Sequence, residues 1–249
     1  MTRLFLWKSR RVLRSIPFYI IEIISLVVAF GFLPSSLGDG AESAGELVLR
    51  TANQIASILT LIGGLYAAIS ITRDVQNRFL SVAIMSGNSS FSILLVQMLS
   101  YFAVIFICVF VPSILILLTG CVIFGGEAFV FKAILWAIVY SFVCASAFTI
   151  VVPFCFVIKT EGASCIINLI VLIGIWSLIE QLISECGEKV LSIMPLHLFP
   201  FMSLFTLCGV EFGGEGFWLQ TGIAFPGAVI FMVIVFSMTF VIFKRQEKK

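Results

Sequence analysis

Long stretches without Lys, Arg, Asp or Glu alternate with short segments that carry almost all of the charge. Ser92–Thr119, Ala133–Ile158 and Gly222–Phe243 are uninterrupted uncharged runs, each long enough for a helix to cross a hydrocarbon core of about 30 Å, which takes roughly 20 residues. Ala52–Thr72 is a fourth. Ala163–Ile179 is shorter and reaches Ile183 if Glu180 extends to the headgroups. Phe18–Leu33 is the weakest, being short and carrying Glu22. The pattern predicts an all-α polytopic membrane protein with six transmembrane helices over residues 18–33, 52–72, 92–119, 133–158, 163–183 and 222–243, in a single transmembrane domain spanning 1–249.

The charges test the weak first span. Arg3, Lys8, Arg10, Arg11 and Arg14 precede it, and Lys244, Arg245, Lys248 and Lys249 follow the last one. Cytoplasmic loops are enriched in Lys and Arg, so both tails are expected in the cytoplasm, which demands an even number of spans. Arg73, Arg78 and the turn at Lys159–Glu161 then fall inside as well, leaving Arg50, Lys132 and Lys189 outside with most of the acidic residues. A secretory signal, with basic residues, an apolar run and small residues near Ala41–Ala44, fits the N-terminus only loosely; a retained span is expected.

Residues 2–16 have segregated faces. On a helical wheel Phe5, Leu6, Val12, Leu13 and Ile16 gather on one side and Arg3, Arg10, Arg11 and Arg14 on the other, with Lys8 at the margin. This reads as an N-terminal amphipathic helix lying in the membrane interface, with Arg3, Trp7, Arg10, Arg11 and Arg14 toward the headgroups. Pro17 is expected to break it and turn the chain into the membrane. The plainer reading is a solvated basic tail.

Composition agrees with lipid as the solvent. Of 249 residues 61% are hydrophobic and 11% charged, whereas a soluble domain is about 25% charged. The 26 Phe suit a surface facing acyl chains, and the net charge of +2 says little about partners. Seven Cys and a single His, His197, provide no zinc ligand set. Cys186 and Cys208 share one outer segment, but spacing alone does not establish the geometry of a disulfide. HExxH, GxSxG, Rossmann and GxxxxGK[ST] patterns are absent, so neither catalysis nor nucleotide binding is indicated. His197 with Glu188 and Glu211 reads more simply as a packed loop residue than as an acid–base site. No metal, cofactor or nucleic-acid partner is expected.

Three features remain. Glu22 within a span should face the bundle interior and pair, with Arg14 or Arg73 as the nearer cations. Asn168, with Asn53 and Gln54, should hydrogen-bond between helices or line a passage. Pro112 and Pro153 should kink their spans. Between spans, residues 73–91 form a cytoplasmic loop in which Asp74–Ile84 suits a short helix and Ser86-Gly87-Asn88-Ser89-Ser90 is a turn. Residues 184–221 hold an apolar stretch broken by Pro195 and Pro200, expected as short helices on or dipping into the outer leaflet.

This layout resembles the ABC-2 type membrane subunits of bacterial ABC exporters. The resemblance rests on the interfacial N-terminal helix, the six spans and the loop after span two. There Asp74, then Arg78-Phe79-Leu80, then Ser86-Gly87-Asn88-Ser89 match an acidic residue, a short helix, a turn and an apolar restart. Members often carry Lys a few residues into span three, where this chain has Gln97. The size is similar to that of permeases of lantibiotic immunity and bacitracin resistance. The resemblance implies a non-enzymatic permease in the bacterial plasma membrane. Its partners would be cytoplasmic ABC ATPase subunits holding ATP and Mg, docked near Asp74, Arg78, Phe79, Leu80 and Ile84, and a second permease chain, identical or sister. Its cargo would be hydrophobic or amphipathic, a lantibiotic-like peptide being one candidate. An ion-coupled secondary transporter, an intramembrane enzyme and a non-transporting accessory protein are the competing classes.

Overall fold

The computed structural model describes residues 2–38, 40–77, 83–126, 129–158, 160–186, 199–208, 210–212, 214 and 216–247. Among them there are helices and turns and no strand. The helices are α1 (Thr2–Leu13), α2 (Ile16–Gly38), α3 (Ala44–Gln76), α4 (Ser90–Phe124), α5 (Val130–Phe148), α6 (Val152–Val157), α7 (Glu161–Cys186), α8 (Pro200–Cys208) and α9 (Gly216–Glu247). A chain with no water around its backbone must satisfy its N–H and C=O groups internally, and the helix does so within each segment. Five stretches of the described chain are long and apolar enough to cross a membrane: 16–38, 90–124, 130–157, 161–179 and 216–245. The protein is thus a multi-pass, all-α membrane protein. The predicted span 52–72 lies in α3, which is 33 residues long and so rises about 50 Å.

Several predicted boundaries shift, each for a local reason. The chain breaks between α1 and α2 at Arg14–Ser15, but Pro17 stands in the first turn of α2, where its missing N–H costs nothing. Four residues past Leu13, it has no N–H for the Leu13 carbonyl, so it stops the first helix from continuing and opens the second. Helix α3 begins earlier than predicted because Ser43 caps it, accepting from the Glu46 N–H at 3.2 Å. It also ends later, at Gln76, so Arg73 and Asp74 form its last turn and not the opening of a separate loop helix. The connector that remains is 77–89. Within it, residues 83–85 make one helical turn, Gly87 adopts φ +85°, and Ser89 caps α4 by accepting from Ser92 N–H. The turn predicted at Ser86–Ser90 is there.

Span four is two helices. Pro153 at the start of α6 cannot donate to the preceding turn, and residues 149–151 tighten into a 3-10 turn. Pro112 leaves α4 unbroken. The stretch from α5 to α6 is the centre of the bundle, with 72% of its most apolar window buried, against 22% for α2, 24% for α7 and 28% for α9. The outer faces of those three helices expose rows of large apolar side chains: Tyr19, Ile20, Ile23, Val27 and Phe30 on α2, Ile166, Ile170 and Ile173 on α7, and Val233, Ile234, Met238 and Val241 on α9. Faces this continuous belong against lipid.

Of the segment expected on or dipping into the outer leaflet before the last span, the described part is a short helix packed inside the bundle. Pro200 begins α8, and Phe201, Leu204 and Leu207 are fully buried against the neighbouring helices. Trp136 of α5 donates to the Leu207 carbonyl at 2.9 Å and stacks on Tyr140 at 4.6 Å. Cys208 is a free thiol 3.8 Å from the Tyr140 hydroxyl, not a disulfide partner. Cys186 is the last residue of α7, and His197, Glu188 and Pro195 lie outside the described residues.

Contacts between helices sort into two ends. At one, Ser36 of α2 meets Thr51 of α3, and the Tyr140 hydroxyl donates to Ala52 C=O. Gly120 lies so close to Ala44 that a Cβ would stand 2.8 Å from the Ala44 Cα, and Lys132 donates to Phe212 C=O. At the other end lie α1, the last turn of α3, the start of α4, α6, the start of α7 and the end of α9. There Phe91 packs edge-on against Phe236 and Phe240, Phe156 against Phe243, and Arg73 grips Glu161 with two hydrogen bonds of 3.1 and 3.2 Å.

Candidate functional site

The most polar buried feature lies at this second end, beneath α1. Lys8, placed by its wheel position at the edge of the basic face, is instead inside, 3% exposed. Its Nζ forms an ion pair and hydrogen bond with Asp74 Oδ2, and Gln97 Nε2 donates to the same oxygen at 2.9 Å. Asp74 and Gln97 are 6% and 1% exposed. Three helices, α1, α3 and α4, therefore meet on one carboxylate oxygen. Lys8 also stands 5.6 Å from the Tyr101 ring centroid. Burial lowers the Lys8 pKa from the ordinary lysine value, and the Asp74 charge pulls the other way. Breaking a buried pair costs far more than its presence contributes, so this contact fixes where α1 lies on the bundle.

One side of α1 follows from it. Lys8 and Val12, one turn apart, face the bundle, whereas Leu6, Trp7, Arg10, Arg11, Arg14 and Ile16 are exposed. The predicted apolar face is thus divided: Val12 is buried and Leu6 and Ile16 are not. The Arg11 guanidinium lies 5.5 Å from the Trp7 ring centroid, and Leu6, Trp7, Arg10, Arg11 and Arg14 line an open groove of about 610 Å³. Arg3 lies in α1; its side chain is outside the described residues, as are those of Asn53 and Gln54.

Of the residues expected to receive an ATPase, Asp74 is turned inward. Ile84 is half-buried against the core. Arg78, Phe79 and Leu80 lie outside the described residues. Glu22 does not meet Arg14 or Arg73. Its carboxyl faces the Cys108 thiol of α4, because its position on α2 points toward α4, while Arg73 is held by Glu161. Glu22 Oε2 is buried without a partner among the described residues. Asn168 makes the predicted bond between helices, Nδ2 to Cys155 Sγ at 3.3 Å, and both residues are fully buried. Among the described residues, no three His, Cys, Asp or Glu side chains come together as metal ligands would.

The helical wheel does not mark Lys8 as a partner of Asp74. The available signal was its spacing: Lys8 and Val12 are i,i+4 neighbours, and a buried carboxylate at the end of α3 needs a cation at the same membrane depth. The site and the bundle together define a multi-pass membrane protein whose N-terminal helix is latched onto one end. No protein-family model and no curated protein matches the sequence.

Proposed function

We propose that this chain is the membrane-spanning permease subunit of an ATP-driven exporter in a bacterial plasma membrane. In this reading α2, α3, α4, α5–α6, α7 and α9 make six crossings, α1 lies in the cytoplasmic interface, and both termini are cytoplasmic. The pairing of Ser36 with Thr51 at one end and of Lys8 with Asp74 at the other supports the reading, since it makes successive helices run in opposite directions. ATP hydrolysis belongs to a separate ATPase chain that docks on the connector after α3, and a second permease chain completes the passage.

The observation that carries the proposal is the meeting of Lys8, Asp74 and Gln97. The resemblance puts an acidic residue before the docking segment and a Lys in the next span. Here the acidic residue is Asp74, Gln97 stands at the Lys position, and Lys8 provides the cation from the interfacial helix. A push on residues 77–89 would pass through the last turn of α3 to both α1 and α4, coupling the docking surface to the helices around a passage. A passage through spans this apolar and aromatic suits a hydrophobic or amphipathic cargo, such as an antimicrobial peptide.

Purification in mild detergent, followed by mass spectrometry of the retained proteins, tests this. An ABC ATPase should co-purify, and Phe79→Glu or Leu80→Glu should release it while the permease stays folded. Export that persists when every co-purifying ATPase is removed would overturn the proposal in favour of an ion-coupled transporter.

A further inference from the structure

A cavity of about 220 Å³ opens beside the Lys8–Asp74 pair, between α1, the α1–α2 turn, α3 and α4. Its walls include Lys8, Arg11, Ser15, Tyr66, Ser70, Arg73, Asp74 and Tyr101. Three cations and one carboxylate line it. Lys8 is matched by Asp74, and Arg73 by Glu161 just outside, so Arg11 supplies the surplus positive charge. Arg11 is also shared with the outer groove, where Arg10 and Arg14 adjoin it. Deeper in, the character changes to hydroxyls: Ser15 Oγ lies 3.4 Å from the Tyr66 hydroxyl, and the Tyr101 hydroxyl faces the Ser70 side chain. The floor is formed by Tyr66 and Tyr101, packed edge to face at 5.7 Å.

We propose that this cavity binds a phosphodiester anion, carried to it as the headgroup of an anionic, polyol-bearing lipid such as phosphatidylglycerol. Guanidinium groups recognise phosphate oxygens with paired N–H donors. Arg11 stands at the mouth for this purpose, with Arg10 and Arg14 drawing the anion toward it. The Ser15, Tyr66, Ser70 and Tyr101 hydroxyls suit the alcohol groups of a glycerol headgroup. The exposed apolar face of α2 begins at Ile16 and Tyr19, right beside Pro17 on the cavity wall, and gives the acyl chains a path into the bilayer. The inference is independent of the exporter reading. It requires only that this end of the bundle meets a lipid surface, where basic pockets between helices capture anionic headgroups.

The purified full-length chain is to be titrated in detergent with phosphatidylglycerol, with phosphatidylcholine, and with inorganic phosphate, reading thermal stability and the lipids retained in native mass spectrometry. Phosphatidylglycerol should stabilise the wild type and remain bound, whereas phosphatidylcholine should not. Arg11→Gln should weaken phosphatidylglycerol binding by roughly five- to tenfold, and Arg245→Gln, in the last turn of α9 and outside the cavity wall, should leave it unchanged. Protection by inorganic phosphate that Arg11→Gln abolishes, with none from the lipid, would keep the anion site and assign it to a soluble ligand. Equal response to both lipids with no phosphate effect, or equal losses in Arg11→Gln and Arg245→Gln, would overturn the proposal. Because Arg11 is exposed, its replacement should leave the fold intact; circular dichroism verifies this.

Discussion

Replacing Lys8 with Met isolates the contact that positions α1. Asp74 and Gln97 are almost fully buried, so the variant leaves a carboxylate out of water with the Gln97 Nε2 donor at 2.9 Å as its remaining partner in this trio. Removal of one member of a buried pair costs about 3–5 kcal/mol, and the Gln97 bond places this case at the low end, about 3 kcal/mol. For a chain of this size, 1 kcal/mol corresponds to about 2–4 °C of melting temperature, so Lys8→Met should melt about 6–12 °C lower in detergent. Asp74→Leu alone removes the counter-charge of Lys8 and should cost a similar amount. The double variant Lys8→Met/Asp74→Leu removes both charges, and a well-packed apolar replacement of a buried pair is often neutral. It should cost no more than either single variant, about 3 kcal/mol, giving a coupling of about 3 kcal/mol or more in a double-mutant cycle. The assay is intrinsic fluorescence during heating of all four proteins. Additive losses in the double variant, or a Lys8→Met shift under about 1 °C, would refute the idea that this pair latches α1.

Other consequences are equally direct. Gly120→Ala should destabilise by about 1–3 kcal/mol, because its Cβ would meet the Ala44 backbone at 2.8 Å, while Gly174→Ala, with open space around it, should be neutral or gain up to about 1 kcal/mol of helix propensity; thermal melts separate the two. Trp136→Phe deletes the donor to the Leu207 carbonyl and should cost about 1–3 kcal/mol, read as a lower melting temperature and faster proteolysis around α8. The Glu42 N–H and then Arg50 hold the Glu46 carboxyl below the usual glutamate range. Its contribution to the start of α3 is therefore present at neutral pH and lost as pH falls through that lowered pKa, so Glu46→Gln should flatten part of the acid side of a stability profile.

What could be read from the sequence follows from which forces act locally. The long uncharged runs located α2, α4, α7 and α9, because lipid compatibility is a property of each segment alone. The Ser43 cap and the Pro153 break depend on one or two side chains, and both ends of α3 moved once the cap and the Asp74 contact extended it past its uncharged core. Lys8 could not be assigned from the helical wheel, which sees only its own helix. Its direction is set by a carboxylate 66 residues away. Glu22 faces inward, as a charge within a span predicts, but toward Cys108 and not Arg14 or Arg73, since the choice of partner depends on how α2 is rotated against α4. The prolines of the stretch before α9 mark short helices on or dipping into the outer leaflet, and Pro200 does open one, but its packing against Trp136 and Tyr140 of α5 depends on residues about 70 positions away.

In the proposed reading the two termini of this lipid-embedded bundle emerge on one face of the membrane, as α1 and the end of α9 lie at the same end of the bundle. Epitope tags placed before α1 and after α9, probed with antibody in intact spheroplasts and again after permeabilisation, test it most directly. Both tags should be silent until the membrane is opened. A tag that reacts in intact cells while the other does not would put the ends on opposite faces and contradict the account.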